Sequence, residues 1–322
     1  MTVSAPPRTP MAPASAATVN PGAGTPEEFK GRLAAGKDWR EIVAWVGDLP
    51  PMPQVASRAI SMVENPGTTA KELSDLLSSD AALAARVLKI ANSAMFSRQR
   101  EIATLNQAIM IIGFKALKGI IVAAALRQMN RKFAALERIV WENSMATAMS
   151  STMIAKLLKK PYHEEIFLLG LLHSLGQIVL MARPETQKEY AQILAAIKKS
   201  GLDFATAEQN QFGFAHPLIG ALVAKKWNFS TETCQVILHY RDPISGPKPE
   251  GLLEEQTAVV QLADMIAHKA GIGSPEGYPD QFTAMKAVAT HIGFPAEGLE
   301  EKLMELAAET KKRFEAERSI YE

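Results

Sequence analysis

The stretch IFLLGLLHSLGQ, residues 166–177, joins an uninterrupted apolar run to a polar His-Ser step at residues 173 and 174. The run holds no charged or polar side chain, which is typical of a helix in a protein core. No part of the chain shows sustained alternation of apolar and polar residues between turn residues, the pattern of a half-buried strand. The sequence therefore predicts an all-α fold with this helix in its interior.

The composition of the chain excludes several function classes. Its 322 residues are 47% hydrophobic, carry a net charge of +1 and include one cysteine, Cys234. The near-neutral charge does not favour nucleic acid as a partner, and one cysteine allows neither an intrachain disulfide nor a cysteine-based zinc cluster. The longest apolar runs are far shorter than the roughly 20 residues that span a bilayer. We expect a globular cytoplasmic protein with no membrane partner.

Helix starts are marked by capping residues in the first half of the chain. Thr69 stands three residues before Glu72, the arrangement of a capping box, and Asp80 can cap the next helix. Thr104 with Gln107 can cap a third helix, which is expected to end at residue 113, a glycine. These signals predict three short helices in sequence.

The chain divides into four segments. Residues 1–36 are expected to form a disordered or weakly ordered tail, because residues 1–26 are rich in Ala, Pro, Thr and Ser and hold no acidic side chain. The charged stretch at residues 127–137 is the first that is long enough to mark a boundary. The units predicted after the tail are an N-terminal helical lobe over residues 37–130, a second helical lobe over residues 131–275 and a C-terminal helical extension over residues 276–322.

Several motifs, in the same order and spacing, resemble those of the HDOD domain, the HD-related output domain of bacterial signalling proteins. They are LPPMP at 49–53, residues 73–80, LKIANSA at 88–94, residues 108–113, WENS at 141–144, LLHSLGQ at 171–177, FGFAHPLIG at 212–220, Trp227, ILH at 237–239 and ADMIA at 263–267. The resemblance covers roughly residues 47–273. It implies a two-lobed helical fold whose second lobe is HD-like, and it implies sensing or output in signal transduction more than catalysis.

The resemblance also carries the HD metal pattern onto this chain. The first histidine of that pattern falls on Asn143, the His-Asp pair on His173 and Ser174, and the final aspartate on Asp264. The cyclic-dinucleotide phosphodiesterase branch adds histidines whose positions fall on two further residues, His216 and His239. Tyr240 stands where that branch would place a paired second histidine.

The chemistry of these residues favours a degenerate pocket. A serine hydroxyl at 174 neither compensates the charge of a divalent cation nor bridges two of them. Gln177 stands where hydrolytic HD proteins usually carry a lysine. The remaining ligands, His173, His216, His239 and Asp264, could hold one manganese, iron or zinc ion. The alternative for His173 is a core histidine that is bonded to a backbone carbonyl. For the chain as a whole we expect no catalytic residue and no cofactor.

Three functions remain open at this point. The first is a non-enzymatic signalling module that acts through contacts with other signalling proteins, with a vestigial pocket formed by Asn143, His173, Ser174, His216, His239 and Asp264. The second is a divergent metal-dependent phosphohydrolase of nucleotides or cyclic dinucleotides. The third is a sensor that binds a nucleotide or cyclic dinucleotide without turnover. Asn143 and Ser174 favour the first, because an enzyme should tolerate neither residue at its position.

Other features match no motif. His163, His268 and His291 lie in polar or helix-end contexts and are expected to be solvated. The cyclic-dinucleotide phosphodiesterase branch has a Gly-Tyr-Pro signature after its paired histidines. In this chain the triplet, at 277–279, follows Asp264 instead and is interpreted as a coincidental turn. The helix predicted near the C-terminus should turn Leu303, Leu306 and Ala307 inward, either to close the module or to pair with a partner.

Overall fold

The computed structural model describes residues 26–49, 51–93, 96, 101–129 and 135–321, and all regular structure in these ranges is helical. The first seven helices are α1 Pro26–Lys30, α2 Trp39–Gly47, α3 Gln54–Glu64, α4 Ala70–Ser78, α5 Ala81–Ala91, α6 Leu105–Ile112 and α7 Phe114–Met129. The next ten are α8 Ala135–Leu157, α9 Ile166–Leu172, α10 Leu175–Ala182, α11 Pro184–Ser200, α12 Phe204–Phe212, α13 His216–Lys226, α14 Thr231–His239, α15 Leu252–Lys269, α16 Phe282–His291 and α17 Leu299–Tyr321. The predicted all-α fold is confirmed.

The predicted helix starts are confirmed at atomic level. Thr69 and Glu72 form a reciprocal capping box at the start of α4, and the carboxylate of Asp80 accepts from the backbone N–H of Leu83 in α5. Thr104 and Gln107 form a second capping box at α6, which ends at Gly113 with a φ of 82°. These caps satisfy backbone donors that the first turn of a helix leaves unpaired.

The first lobe packs around α7. Helices α3, α5 and α6 lie against it, and α4 packs on these three helices. Helix α7 continues into the second lobe, where it contacts α9. A Cβ atom at Gly119 would lie only 2.7 Å from Cδ1 of Phe167, so this glycine allows the close approach of the two helices.

The second lobe is centred on α8, α9 and α15. The seven residues of α9 are all buried, as the apolar stretch predicts. Helices α10 and α13 cross at Gly176 and Gly220, where a Cβ atom on Gly176 would lie 2.0 Å from the carbonyl oxygen of His216. This crossing holds the residues before α10 close to the start of α13, and so it positions the candidate site.

The segment before α2 departs from the tail predicted for it. Residues 26–30 form α1, Phe29 is 2% exposed, and the backbone N–H of Ala34 donates to the carbonyl oxygen of Gly213 at 2.7 Å. The prediction is therefore corrected for residues 26–36, because one apolar side chain and a few polar contacts hold this segment against the second lobe. The earlier part of the predicted tail, residues 1–25, lies outside the described residues.

The last helix lies across the second lobe. Helix α17 packs against α8 and α15, and Leu303, Leu306 and Ala307 are buried as predicted. Within the described ranges no single helix has both the length and the apolar composition to cross a membrane. The segments Ile166–Ala182 and Glu185–Ser200 have that length and composition only when they are counted together as one span, and they are bent by 114° at the break between them.

Candidate functional site

Three of the predicted pocket residues meet in the interior of the second lobe. Asn143 on α8 donates from Nδ2 to Oδ1 of Asp264 on α15 at 3.2 Å. The Oδ1 atom of Asn143 lies 3.0 Å from Nε2 of His173, which follows α9. Nδ1 of His173 lies 2.6 Å from the carbonyl oxygen of Gly170. Both ring nitrogens of His173 are therefore engaged in hydrogen bonds, and the one to Gly170 is a bond to a backbone carbonyl of the kind that the core-histidine alternative describes.

Asp264 is also the acceptor for a part-buried arginine, Arg241. Nη1 of Arg241 lies 3.1 Å from Oδ2 of Asp264, and Nη2 lies 3.0 Å from Oδ1 of Asp203. Burial would raise the pKa of Asp264, but its interactions with His268 and His173 outweigh burial and hold the pKa well below its usual range. Asp264 is thus an ionised carboxylate whose charge is balanced by side chains of the same chain.

His268 completes the surroundings of Asp264. It lies one turn further along α15, with Nε2 3.3 Å from Oδ1 of Asp264 and Nδ1 3.0 Å from Oγ of Ser274. Its ring stacks on that of Tyr278 with centroids 4.1 Å apart. The Gly-Tyr-Pro triplet that the sequence marks as a coincidental turn therefore places an aromatic ring beside this group.

Ser174 is bonded to the neighbouring helix instead of being directed at the carboxylate of Asp264. Its hydroxyl shares a hydrogen bond with that of Ser144 on α8, and Ser144 in turn donates to the carbonyl oxygen of Val140 at 2.8 Å. Both serines are fully buried. The hydroxyl at the position of the HD aspartate thus serves helix packing.

His216 belongs to an adjacent hydrogen-bond network around Glu208, a fully buried residue of α12. Oε2 of Glu208 accepts from the backbone N–H of His216 at 2.7 Å and lies 2.6 Å from its Nδ1. Oε1 accepts from the hydroxyl of Tyr190 at 2.7 Å and from Nε2 of Gln177 at 3.2 Å. Nε2 of His216 is hydrogen-bonded to the hydroxyl of Tyr240. His216 is therefore fully engaged as well.

Tyr240 connects the two networks. Its ring meets that of His173 edge to face, with centroids 5.0 Å apart, while its hydroxyl contacts His216. Burial raises the pKa of Tyr240 well above its usual value, so the hydroxyl stays protonated at neutral pH. Tyr240 thus contacts two pocket histidines, His216 by a hydrogen bond and His173 by an edge-to-face ring contact.

His239 lies apart from the other five residues of the predicted pocket. It lies near the surface at the end of α14, with Nδ1 2.7 Å from Oδ2 of Asp242 and Nε2 2.6 Å from Oε1 of Glu28 in α1. Arg32 also contacts Asp242 and lies 2.9 Å from Nδ1 of His239. The hydrogen bond to Asp242 raises the pKa of His239, and the bond to Glu28 adds to it against the effect of burial. His239 fastens the N-terminal segment to the second lobe.

Comparison with known proteins agrees with this architecture. The family model of the HDOD domain matches residues 49–243. The chain belongs to the HDOD domain family. The predicted resemblance is therefore confirmed. The matched range includes Asn143, His173, Glu208, His216 and Arg241, whereas Asp264 and His268 lie beyond it.

Solved structures of related proteins share the HDOD fold. An HDOD domain protein of unknown function from Geobacter sulfurreducens is 23% identical, with a TM-score of 0.71 over 87% of this chain and 96% of that one. A candidate phosphohydrolase from Shewanella amazonensis SB2B is 26% identical, with a TM-score of 0.64 over 84% and 97%. A candidate signal transduction protein from Marinobacter aquaeolei VT8 is 18% identical, with a TM-score of 0.66 over 95% and 68%.

A curated relative matches this chain over only part of the relative's own length. An uncharacterized protein of Treponema pallidum (strain Nichols) is 24% identical over 203 residues, which are 62% of this chain. The match spans only 39% of the length of that protein. The likeness therefore concerns one part of the Treponema protein.

The residues of the HDOD pocket do not fit the metal ion that an HD-type site implies. Across residues 26–49, 51–93, 96, 101–129 and 135–321, no group of three or more His, Cys, Asp or Glu side chains is placed to hold one. His173 and His216 have both ring nitrogens engaged, and Asp264 is paired with Arg241. A metal ion could bind to these side chains only by breaking the hydrogen bonds and the ion pair that they make with each other.

Some residues of this HDOD site were missed by the sequence analysis. The expectation of solvated histidines is wrong for His268 and His291, whose side chains are 8% and 1% exposed. The spacing of Asp264 and His268 placed them on one face of a helix, which was a usable signal. Arg241 and Glu208 gave no such signal, because their partners come from other elements.

Proposed function

We propose that this HDOD protein is a non-catalytic signalling module that acts through contacts with other signalling proteins, with an HD-like pocket filled by its own side chains. The observation that supports this most strongly is the part-buried guanidinium of Arg241, which lies between Asp264 and Asp203. It supplies the positive charge that Asp264 would otherwise obtain from a metal ion.

The charge of Arg241 argues against hydrolysis in physical terms. A divalent ion on Asp264 would lie within a few ångströms of the guanidinium, where two positive charges repel strongly in a buried setting. The guanidinium itself has no open coordination position and so does not bind and activate a water molecule as a metal ion does. Ser174 adds no charge that would attract a second ion, and its hydroxyl is already bonded to Ser144.

The signalling part of the proposal rests on likeness. The motifs of the chain resemble an output domain of bacterial signalling proteins, and the related Marinobacter protein is described as a candidate signal transduction protein. The net charge of +1 supports proteins over nucleic acid as partners. A lone, buried Cys234 agrees with the reducing cytoplasm of a bacterium as the location.

The metal content per chain tests the proposal. The full chain is purified without chelator or nickel resin and measured by inductively coupled plasma mass spectrometry, together with Ser174→Asp and the double variant Ser174→Asp/Arg241→Met. We expect a metal-free native protein and a gain of metal, if any, only when a carboxylate is added and the guanidinium removed. Ser78→Asp, which adds a carboxylate on the exposed face of α4, is the matched control. Near-stoichiometric manganese, iron or zinc in the native protein would contradict the proposal.

A divergent metal-dependent phosphohydrolase is the second candidate, because the Shewanella protein, at 26% identity, is described as a candidate phosphohydrolase. This function would require His239 to leave Glu28 and Asp242 and join the other histidines. Assays with nucleotides and cyclic dinucleotides in the presence of manganese separate the two candidates. Turnover that is lost in Asp264→Asn would favour the enzyme. Thermal shifts with the same compounds, without turnover, would instead indicate a nucleotide sensor.

A further inference from the structure

A second cavity, of about 350 Å³, lies at the surface of the second lobe between α14, the loop that follows it, α15 and α16. Its volume is in the range of small-molecule sites. Its apolar wall consists of Pro243, Ile244, Leu253 and Ala258. Of the six residues predicted for the HD-like pocket, only His239 lines this cavity, and His239 lies apart from the other five. The cavity is therefore a separate place and does not depend on the proposed function.

The feature that indicates a ligand is His291. Its side chain lines the cavity and is 1% exposed, yet neither Nδ1 nor Nε2 has a hydrogen-bond partner among the described residues. Nε2 lies 3.6 Å from Oε1 of Glu254, which is beyond hydrogen-bond distance. A buried imidazole with both nitrogens unpaired is costly, and a bound molecule that hydrogen-bonds to it removes that cost.

The hydrogen-bonding groups around the cavity define what such a molecule must offer. Nε2 of Gln261 donates to the carbonyl oxygen of Asp242 at 3.0 Å, and Nε2 of Gln235 donates to Glu28 at 3.3 Å. The hydroxyl of Thr257 donates to a backbone carbonyl one turn earlier at 2.7 Å. Each of these groups already makes one hydrogen bond to the protein, whereas the carboxylate of Glu254 and one ring nitrogen of His291 keep acceptor capacity toward the cavity. A ligand that carries donors matches these acceptors.

The charge of the cavity points the same way. Asp242 and Glu254 line it, and no lysine or arginine does so among the described residues. Asp242 is balanced by Arg32 and His239, whereas the hydrogen bonds of Glu254 within the described part of the chain come from the hydroxyl of Ser245 and a backbone N–H. A carboxylate has about four lone-pair sites, so Glu254 can accept further hydrogen bonds. Phosphates and carboxylates would be repelled here, and cations would be attracted.

We infer that this cavity binds a small primary amine with an apolar body, its ammonium group hydrogen-bonded to Glu254 and His291. The ammonium group supplies three donors to an acceptor-rich wall, and the apolar body covers Ile244 and Leu253. Charge-assisted hydrogen bonds to Glu254 make the amine, and not its alcohol or acid analogue, the preferred ligand. His239 and Asp242 line this cavity, and they also contact Glu28 of α1 and Arg32 respectively. The bound amine therefore lies next to the point where the N-terminal segment docks.

The test is isothermal titration calorimetry of the full chain with matched probes. The amines are 2-phenylethylamine, tyramine and cyclohexylmethylamine, and the controls for the first are 2-phenylethanol and phenylacetate. We expect at least one amine to bind with one equivalent per chain, the alcohol about tenfold or more weakly, and phenylacetate not at all. No binding by any of the three amines, or equal binding of 2-phenylethylamine and phenylacetate, would overturn the inference.

Variants locate the binding within this cavity. Glu254→Gln is expected to weaken amine binding about tenfold or more, and His291→Leu to weaken it with no loss of melting temperature, because an unpaired buried group is removed. Glu276→Gln removes an exposed carboxylate that pairs with Lys198 elsewhere and should leave amine binding unchanged. Amine affinity that is equal in native protein, Glu254→Gln and His291→Leu would place the amine elsewhere and overturn the inference.

Discussion

The guanidinium of Arg241 lies 3.1 Å from a carboxylate oxygen of Asp264, the residue that the HD pattern would assign to a metal ion. The two residues come from different elements, Asp264 from α15 and Arg241 from the loop after α14. Asp203 accepts from the same guanidinium at 3.0 Å, so that one cation serves two carboxylates. Burial would lower the pKa of Arg241, but the neighbouring Tyr278 and Asp264 outweigh it and hold the pKa above its usual value. The pocket is thus neutralised from within.

Arg241→Met is expected to destabilise the protein by about 3–5 kcal/mol, since it leaves the charge of Asp264 buried without its partner. Adding Asp264→Asn should recover part of this loss, because the unpaired charge is then removed as well. Urea unfolding followed by circular dichroism measures both free energies of unfolding. If the single variant is as stable as the native protein, Arg241 is not the partner that balances Asp264.

Replacing Glu208 with Gln should cost about 2–3 kcal/mol, because the new amide group presents donors to the hydroxyl of Tyr190 or to His216, which are donors themselves. Tyr190→Phe removes one hydrogen bond and should cost only about 1 kcal/mol. A double-mutant cycle by chemical denaturation gives the coupling of the two residues. Strict additivity would show that the network does not act as a unit.

Gly176→Ala tests the crossing of α10 and α13. Its Cβ would lie 2.0 Å from the carbonyl oxygen of His216, so we expect a loss of about 3 kcal/mol from displaced backbone. Gly47→Ala, at the end of α2 where a Cβ would meet nothing within 4 Å, is the matched control. It should be neutral or more stable by about 0.5–1 kcal/mol. Equal shifts in melting temperature for the two variants would contradict the close packing of α10 and α13.

The attachment of α1 should weaken as the pH rises. The pKa of His239 is raised in the folded chain above about 6.5, its value when unfolded. The stability that this histidine contributes is therefore complete below about pH 6.5 and is lost as the pH rises through the higher, folded pKa. The group that matters at low pH is Asp242. Burial would raise its pKa, but His239 and Arg32 outweigh burial and lower the pKa. Its contribution is present above about pH 3.9 and is lost as the pH falls through its folded pKa.

Hydrogen exchange of residues 27–34 measures this attachment. We expect their protection factors to fall between pH 6 and pH 9 in the native protein and to be low and nearly constant in His239→Asn. His163→Asn is the control, because His163 contacts only the carbonyl oxygen of Lys160 among the described residues. Protection that does not vary with pH in the native protein would mean that other contacts, such as that of the buried Phe29, hold the segment by themselves.

Much of the fold could be predicted from local patterns. The caps at Thr69, Asp80 and Thr104 follow from hydrogen bonds between residues three positions apart, and the structure has each of them. The buried helix at 166–172 follows from its apolar composition alone. The order of the HDOD motifs was enough to name the family. Residues 26–30 were mispredicted because a single helical turn held by Phe29 has no periodic signal.

The sequence by itself determined the helical class, the capped helix starts, the HDOD motifs and the serine at position 174, because each depends on residue identity or on neighbours along the chain. Only the tertiary structure decided what fills the pocket, where His239 lies and which histidines are buried. Arg241 and Asp264 are 23 residues apart, and His239 and Glu28 are 211 apart. Such pairs form only when packing brings separate helices together, and no local pattern specifies which buried charge will find which partner.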